Sequence, residues 1–209
     1  MSNNERPSWL TWAREIQAIA QIGLNHTQGY YDRINYSRLL EIAAEIVTEH
    51  TPLEKSHVLE QFQVQPGYAT VKVDVRAAVI RDEKILLVQE RRDGRWCMPG
   101  GWADVGDYPS QMVAREALEE SGYLVEPYRV VGVYDANRGG RPLDFFHAYK
   151  IVFLCRITGG KARVSDETMG VDFFDFRDLP PLSRNRTDER HIKDVQDLLA
   201  DRCAQTVFD

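Results

Sequence analysis

The apolar spacing of this chain changes character once, and that change limits the architectures open to it. In the first stretch, apolar side chains recur every three or four positions: Trp9, Trp12, Ala13, Ile16, Ile19, Ala20 and Gly23, then Leu39, Leu40, Ile42, Ala43, Ile46 and Val47. This is the helical period, and it predicts two amphipathic helices. A third, shorter helix is signalled by Thr51-Pro52-Leu53-Glu54, with Thr as the cap, Pro at the first helical position, Glu at the third, and Val58, Leu59 and Phe62 as the buried face. After Pro66 and Gly67 the period drops to two. Val71, Val73, Val75, Ala77 and Val79 alternate with Lys72, Asp74 and Arg76, which reads as a strand with one wet face. A helical front followed by a strand-rich remainder predicts two modules of unequal size, residues 1–66 and 67–209.

The second module mixes both periods. Strands are expected over 85–89, 124–135, 147–157 and 171–176, and helices over 110–121 and around Ile192, Val195, Leu198 and Leu199, the last favoured by Asp188 and Glu189 at its N-terminus. A formal net charge of −6 opposes a broad electrostatic grip on DNA or RNA. Residues 1–66 carry five basic and eight acidic side chains, so the helical module is no nucleic-acid reader either, and Trp9 and Trp12 read as core or interface packing. No apolar run reaches the ~18 residues of a membrane span, and MSNNERPSWLTW lacks the features of a secretory signal, so a cytoplasmic protein is expected. Cys97, Cys155 and Cys203 form no C-x-x-C pair and have no zinc-like histidine spacing, so neither a disulfide nor a zinc site is assigned. Cys97 alone lies near enough to the acidic stretch described next to be accessible.

That stretch is PGGWADVGDYPSQMVAREALEESGY, residues 99–123. On a helix with about 100° per residue, Glu119 lies about 60° to one side of Glu116 and Glu120 about 40° to the other, so the three carboxylates share a face. At about 5.5 Å and an effective dielectric of ~20, each ionised pair repels by about 3 kcal/mol, several times what an exposed helix ordinarily carries. A hard divalent cation offsets this, because Mg²⁺ and Mn²⁺ prefer oxygen ligands. Ala114, Leu118 and Ser121 are expected to form the face that packs on the sheet, and Arg115 to hold one carboxylate in place.

Gly101, Asp107, Arg115, Glu116, Glu119, Glu120 and Gly122 together closely resemble the Nudix box, in which a glycine, a glutamate, an Arg-Glu pair, a Glu-Glu pair and a glycine stand at these intervals. Two departures are present: Asp107 occupies the position of the first glutamate, with a shorter reach to the arginine and the metal, and Ala117 and Tyr123 replace aliphatics. WLTWAREIQAIAQIGL (9–24), KVDVRAAVI (72–80), GRWCMPGGWADVG (94–106) and DFFDFRDLPPLSRNRT (172–187) extend the likeness to a subgroup of bacterial Nudix proteins with an N-terminal helical domain. That subgroup includes CDP-choline pyrophosphatases and proteins labelled ADP-ribose pyrophosphatases.

The resemblance implies an α+β protein in which a Nudix α/β/α sandwich with a mixed sheet follows a small all-helical domain. It further implies Mg²⁺-dependent, or Mn²⁺-dependent, hydrolysis of a nucleoside diphosphate derivative by metal-activated water, and a homodimer with the helical domain at or near the contact. Carried onto this chain, Glu116, Glu119 and Glu120 bind the metal, the Gly101 carbonyl adds a ligand, and Arg115 orients the helix carboxylates. The general base is Glu116 or an acid of the late loop, Asp166 or Glu167. Chemistry alone nominates Arg91, Arg92, Arg95, Arg138 and Arg141 as grips for a diphosphate, and Phe145 or Phe146 as a stack for a base or a cage for a quaternary ammonium. RNA 5′-end processing and non-catalytic nucleotide sensing are the competing readings, the first disfavoured by the net acidity.

Overall fold

The computed structural model describes residues 7–63, 69–104, 106–136, 147–201 and 205–209. The helical period of the first stretch produces α1 (Ser8–His26), α2 (Tyr30–His50) and α3 (Lys55–Gln63). Most of the predicted stripe enters their core: Ala13, Ala20, Leu40, Ala43, Val47, Val58 and Phe62 are buried together with Ala44, with Trp9, Ile16, Leu39, Ile46 and Leu59 packed against them, whereas Trp12 and Ile19 of the stripe are exposed. Trp9 stacks on His50 at 4.7 Å between ring centroids. The third helix starts later than its cap signal suggests. Thr51 donates its hydroxyl to Val47 O at 2.8 Å and so closes α2, whose helix runs on to His50; α3 begins at Lys55. These three helices form one compact unit, and the elements from Lys72 onward form a second.

The second unit is a mixed sheet with one helix on each face. Its elements are β1 (Lys72–Arg81), β2 (Lys84–Glu90), β3 (Trp96–Cys97), α4 (Pro109–Ser121), β4 (Tyr123–Asp135), β5 (Ala148–Gly160), β6 (Thr168–Asp175), α5 (Glu189–Leu199) and β7 (Val207–Phe208). The strand order is β3-β2-β1-β5-β4-β7, with β6 also paired to β2. β1 runs parallel to β5 from Lys72 to Val79 but meets β2 only at Ile80 and Arg81. Its N-terminal half is bordered instead by the glycine-bearing segment after β3: Ala77 N–H donates to Pro99 O at 2.8 Å, Val75 N–H to Gly101 O at 2.9 Å, and Ala103 N–H to Val73 O at 2.8 Å. Val75, Ala77, Val79 and Leu86 pack against Met112, Val113 and Ala117 of α4; Ala78, Ile85, Leu87 and Leu154 pack against Ile192, Val195 and Leu198 of α5. Asp188 caps α5 by accepting from His191 N–H. No described helix is long and apolar enough to cross a membrane.

The supposedly wet face of β1 is buried. β1 sits mid-sheet, and Asp74 and Arg76 are enclosed along with its valines, Arg76 beneath the segment at Cys97 and Met98 and Asp74 beside Lys150 of β5. The Arg76 guanidinium donates to both oxygens of Asp74, at 2.8 and 3.0 Å, and to Met98 O at 3.2 Å. Buried Lys150 lies 3.7 Å from Asp74 and donates to the carbonyls of Asn185 and Arg186. Arg186 in turn pairs with buried Glu90 at 2.8 Å. Charges removed from water are tolerated only when paired in this way. Cys97, expected to be accessible, is fully buried and donates its thiol to Glu90 at 3.1 Å; burial pushes that thiol's pKa well up. Cys203 lies outside the described residues.

The approach of the glycine segment to β1 depends on Gly100. Its φ is +144°, and a Cβ there would stand 1.9 Å from Val75 O. Gly100→Ala is therefore expected to lower unfolding stability by about 3 kcal/mol or more, whereas Gly94→Ala, with a φ of +67° but open space around it, is expected to cost about 1 kcal/mol. Urea denaturation of the two variants checks the contrast.

Candidate active site

Pro109 at the first helical position opens α4, and Gly122, left-handed at φ +78°, closes it. The face turned inward is Met112, Val113, Ala117, Glu120 and Ser121. Of the small residues expected to pack on the sheet, Ser121 is buried, while Ala114 and Leu118 lie at the margin. The rotation follows from Glu120, whose carboxylate has a partner inside: Gly100 N–H donates to its Oε2 at 2.9 Å. With 4% exposure, Glu120 belongs to the packed face. Glu116, one turn earlier, lies against the next glycine, its Oε2 3.0 Å from the position a Cβ on Gly101 would take. Glu119 points outward. The Gly101 carbonyl already accepts from Val75 N–H, which leaves one lone pair for any further partner.

Arg115 gathers the acids at the outer edge. Its Nη2 donates to Asp107 at 2.7 Å and to Asp104 at 3.1 Å, and its Nη1 lies 3.8 Å from Glu116 and 3.9 Å from Glu119. The aspartate at position 107 does span the distance to the arginine. Burial raises the Glu116 carboxyl above the usual range, with Arg115 opposing and the charges of Glu119 and Glu167 reinforcing the rise. Burial also pushes Glu120 to about 7, opposed by Arg76 and the Gly100 N–H and reinforced by Glu90 and Glu116. Both carboxyls are held back from ionising chiefly by desolvation, Glu120 also by the charge of Glu116, and a further positive charge placed beside them would favour their ionised forms.

A family model described as the NUDIX domain matches residues 71–195. The chain belongs to the Nudix family. A second model, described as a UDP-X-like N-terminal oligomerisation domain, matches residues 7–62. A Bacillus subtilis (strain 168) protein bearing the provisional name ADP-ribose pyrophosphatase YjhB is 37% identical over 201 residues, spanning 96% of this chain and 97% of that protein. A crystal structure of a UDP-X diphosphatase superposes with a TM-score of 0.64 at 29% identity, covering 97% of this chain and 98% of the other. That of an ADP-ribose pyrophosphatase from Streptococcus suis 89-1591 gives a TM-score of 0.59 at 38% identity, covering 67% of this chain and all of the other. The protein is thus a Nudix hydrolase.

Nudix hydrolases use divalent metal ions, and the acid helix of this one fits such an ion by its chemistry. Among the described residues, no three His, Cys, Asp or Glu side chains are gathered closely enough to hold a metal as they stand. Glu116 and Glu120 nevertheless supply hard oxygen donors one helical turn apart, and a cation offsets both their desolvation and the charge that Glu116 exerts on Glu120. Glu119 is exposed one turn from Arg115, whose Nη1 lies 3.9 Å from its carboxylate.

The other nominated residues are dispersed. Exposed Glu167 sits near enough for its charge to be felt at Glu116. Arg91 directs its donors to the backbone of residues 165–168. Arg95 is exposed beside β3, its N–H donating to Asp93 at 2.9 Å. Arg138, Arg141, Phe145 and Phe146 lie outside the described residues. Sequence reasoning missed Arg76, whose guanidinium anchors Met98 just before the glycines and whose charge reaches Glu120. The available signal was a run of charges on a strand later found mid-sheet, where unpaired charge is not tolerated.

Glu120 yields a pH-dependent prediction. Its folded-state pKa, about 7, lies above the ordinary 4.5, so the folded chain binds this proton more tightly than the unfolded one. Its stabilising contribution is complete below about 4.5 and is lost as pH rises through 7, a change on the order of 3 kcal/mol. Without divalent ions, Glu120→Gln is expected to unfold at higher urea than wild type at pH 8, with the gain shrinking toward pH 5. The same variant is expected to lose most of the stabilisation that Mg²⁺ gives wild type at pH 8.

Proposed function

We propose that the protein hydrolyses the pyrophosphate bond of a nucleoside diphosphate linked to a second group, with Mg²⁺ as the working ion. The products are a nucleoside monophosphate and the phosphorylated second group. The observation that carries this reading is the junction of Glu120 with Gly100 N–H, which lays the acid helix against the glycine segment with Glu116 alongside. Glu116, Glu119 and Glu120 would hold the ion, which when bound neutralises diphosphate oxygens and makes a bound water more acidic. The chain's own residues do the rest. Glu120 is fixed by its backbone donor, Arg115 with Asp104 and Asp107 steadies the outer edge, and Glu167 accepts the proton from the water that attacks phosphorus as the anhydride P–O bond breaks.

For the second group, the names of the relatives favour an ADP-ribose-like compound, with UDP-linked substrates next; CDP-choline stays in the candidate set on the subgroup resemblance alone. A cytoplasmic site of action is in keeping with such substrates. Purified protein with Mg²⁺ is expected to turn over at least one of ADP-ribose, UDP-sugars and CDP-choline, with Glu167→Gln slowed by ~10² or more. A folded wild type that is silent on the whole panel, with either Mg²⁺ or Mn²⁺, would refute the reading.

The helical unit is proposed to join two copies of the chain. Trp12 and Ile19, seven residues apart on one side of α1, are 58% and 59% exposed, and Tyr30, Tyr31 and Ile34 are exposed on α2. An apolar display of this kind is a candidate contact between subunits. Light scattering is expected to report a dimer for wild type and a monomer for the Trp12→Glu/Ile19→Glu variant; an unchanged dimer would move the contact elsewhere.

A further inference from the structure

Arg91 stands just past the end of β2, where its sequence position offers it to the diphosphate. Its surroundings give it another task. Its backbone N–H donates to Glu167 O at 2.9 Å, its Nε to Asp166 O at 3.0 Å, and its Nη2 to Thr168 O at 3.1 Å and Ser165 O at 3.5 Å. Four successive carbonyls thus converge on one residue. Peptide oxygens brought together repel one another, and the planar guanidinium, with five donors in fixed directions, suits them better than an ammonium on a flexible stem.

The same segment is tied on its other side to the acid helix. Thr168, fully buried, donates its hydroxyl to Glu120 O at 3.0 Å and accepts from Ser165 N–H at 2.9 Å. Glu167 N–H donates to Ser165 Oγ at 3.2 Å, and Arg163 N–H donates to Ser121 O at 2.9 Å. Two of the carbonyls that the end of α4 leaves open, those of Glu120 and Ser121, are thereby satisfied by the loop. The backbone of 165–168 is held from both sides, and the exposed Glu167 carboxylate stands on it. Fixing a backbone beneath one carboxylate is a way to aim that carboxylate.

Resting on the reading of Glu167 as proton acceptor, we propose that Arg91 is a positioning residue. It holds the 165–168 backbone so that Glu167 is presented to the attacking water, and it does not bind the diphosphate.

A double-mutant cycle tests this. R91M, E167Q and the double variant are compared by steady-state kinetics on the best-hydrolysed diphosphate, together with amide hydrogen exchange over residues 165–168. R91M is expected to lower kcat ~10- to 100-fold with KM within about twofold, and to speed exchange in the loop. In the E167Q background the same change is expected to lower kcat by no more than about twofold, because the group it aims is already gone. R91K, which keeps the charge but loses the planar fork, is expected to recover part of kcat, and it carries the comparison if R91M does not fold. A wild-type kcat in E167Q would overturn the reading of Glu167 and the proposal with it. A defective E167Q combined with an R91M effect confined to KM, or with unchanged loop exchange, would overturn the positioning role alone.

Discussion

One hydrogen bond from backbone to side chain organises the candidate site of this molecule: the N–H of Gly100 donated to the carboxylate of Glu120. It forms because the segment after β3 lies directly along β1, closer than any side chain at position 100 would permit. Once Glu120 is held there, the rotation of α4 is settled. Ala117 and Val113 face the sheet, Glu116 lies over Gly101, and Glu119 is left at the solvent edge. The acids therefore form a graded set, from enclosed to exposed, although they are equivalent on a helical wheel.

Beneath this arrangement the sheet carries a network of charges that would be difficult to place anywhere else. Arg76, Lys150 and Arg186 face Asp74 and Glu90, and Arg76 also holds Met98 immediately before the proline and glycines of the site. Buried ion pairs seldom add stability over an apolar core of equal volume, so their presence is better understood as specification. They determine where one loop lies on the sheet and which way its peptides point. Glu120 is held toward its neutral form by its own burial, against the pull of Arg76 from this network.

Much of the fold could be read in advance because its signals are short in range. The helical stripe from Trp9 to Val47 and the alternation from Val71 to Val79 announced the right element types, and the spacing from Gly101 to Gly122 announced the family. The errors have a common origin. Thr51 could cap the helix before it or the one after it, and only the observed length of α2 decides between them. Asp74 and Arg76 alternate with valines as solvent-facing residues do, and nothing within the strand reveals that Met98 and Lys150, distant in the chain, enclose that side as well. The bonds of Arg91 to the 165–168 backbone are beyond local reading for the same reason, since those carbonyls lie more than seventy positions away along the chain.

The sequence by itself determined the two-part organisation, the place of the acid helix and the class of chemistry, because each rests on spacing within a turn or two of backbone. Tertiary structure alone decided which glutamate is enclosed, which charges are paired inside the sheet and which arginine is committed to a loop. Those outcomes depend on desolvation and on partners distant in the chain, and neither is encoded in the period of a single element.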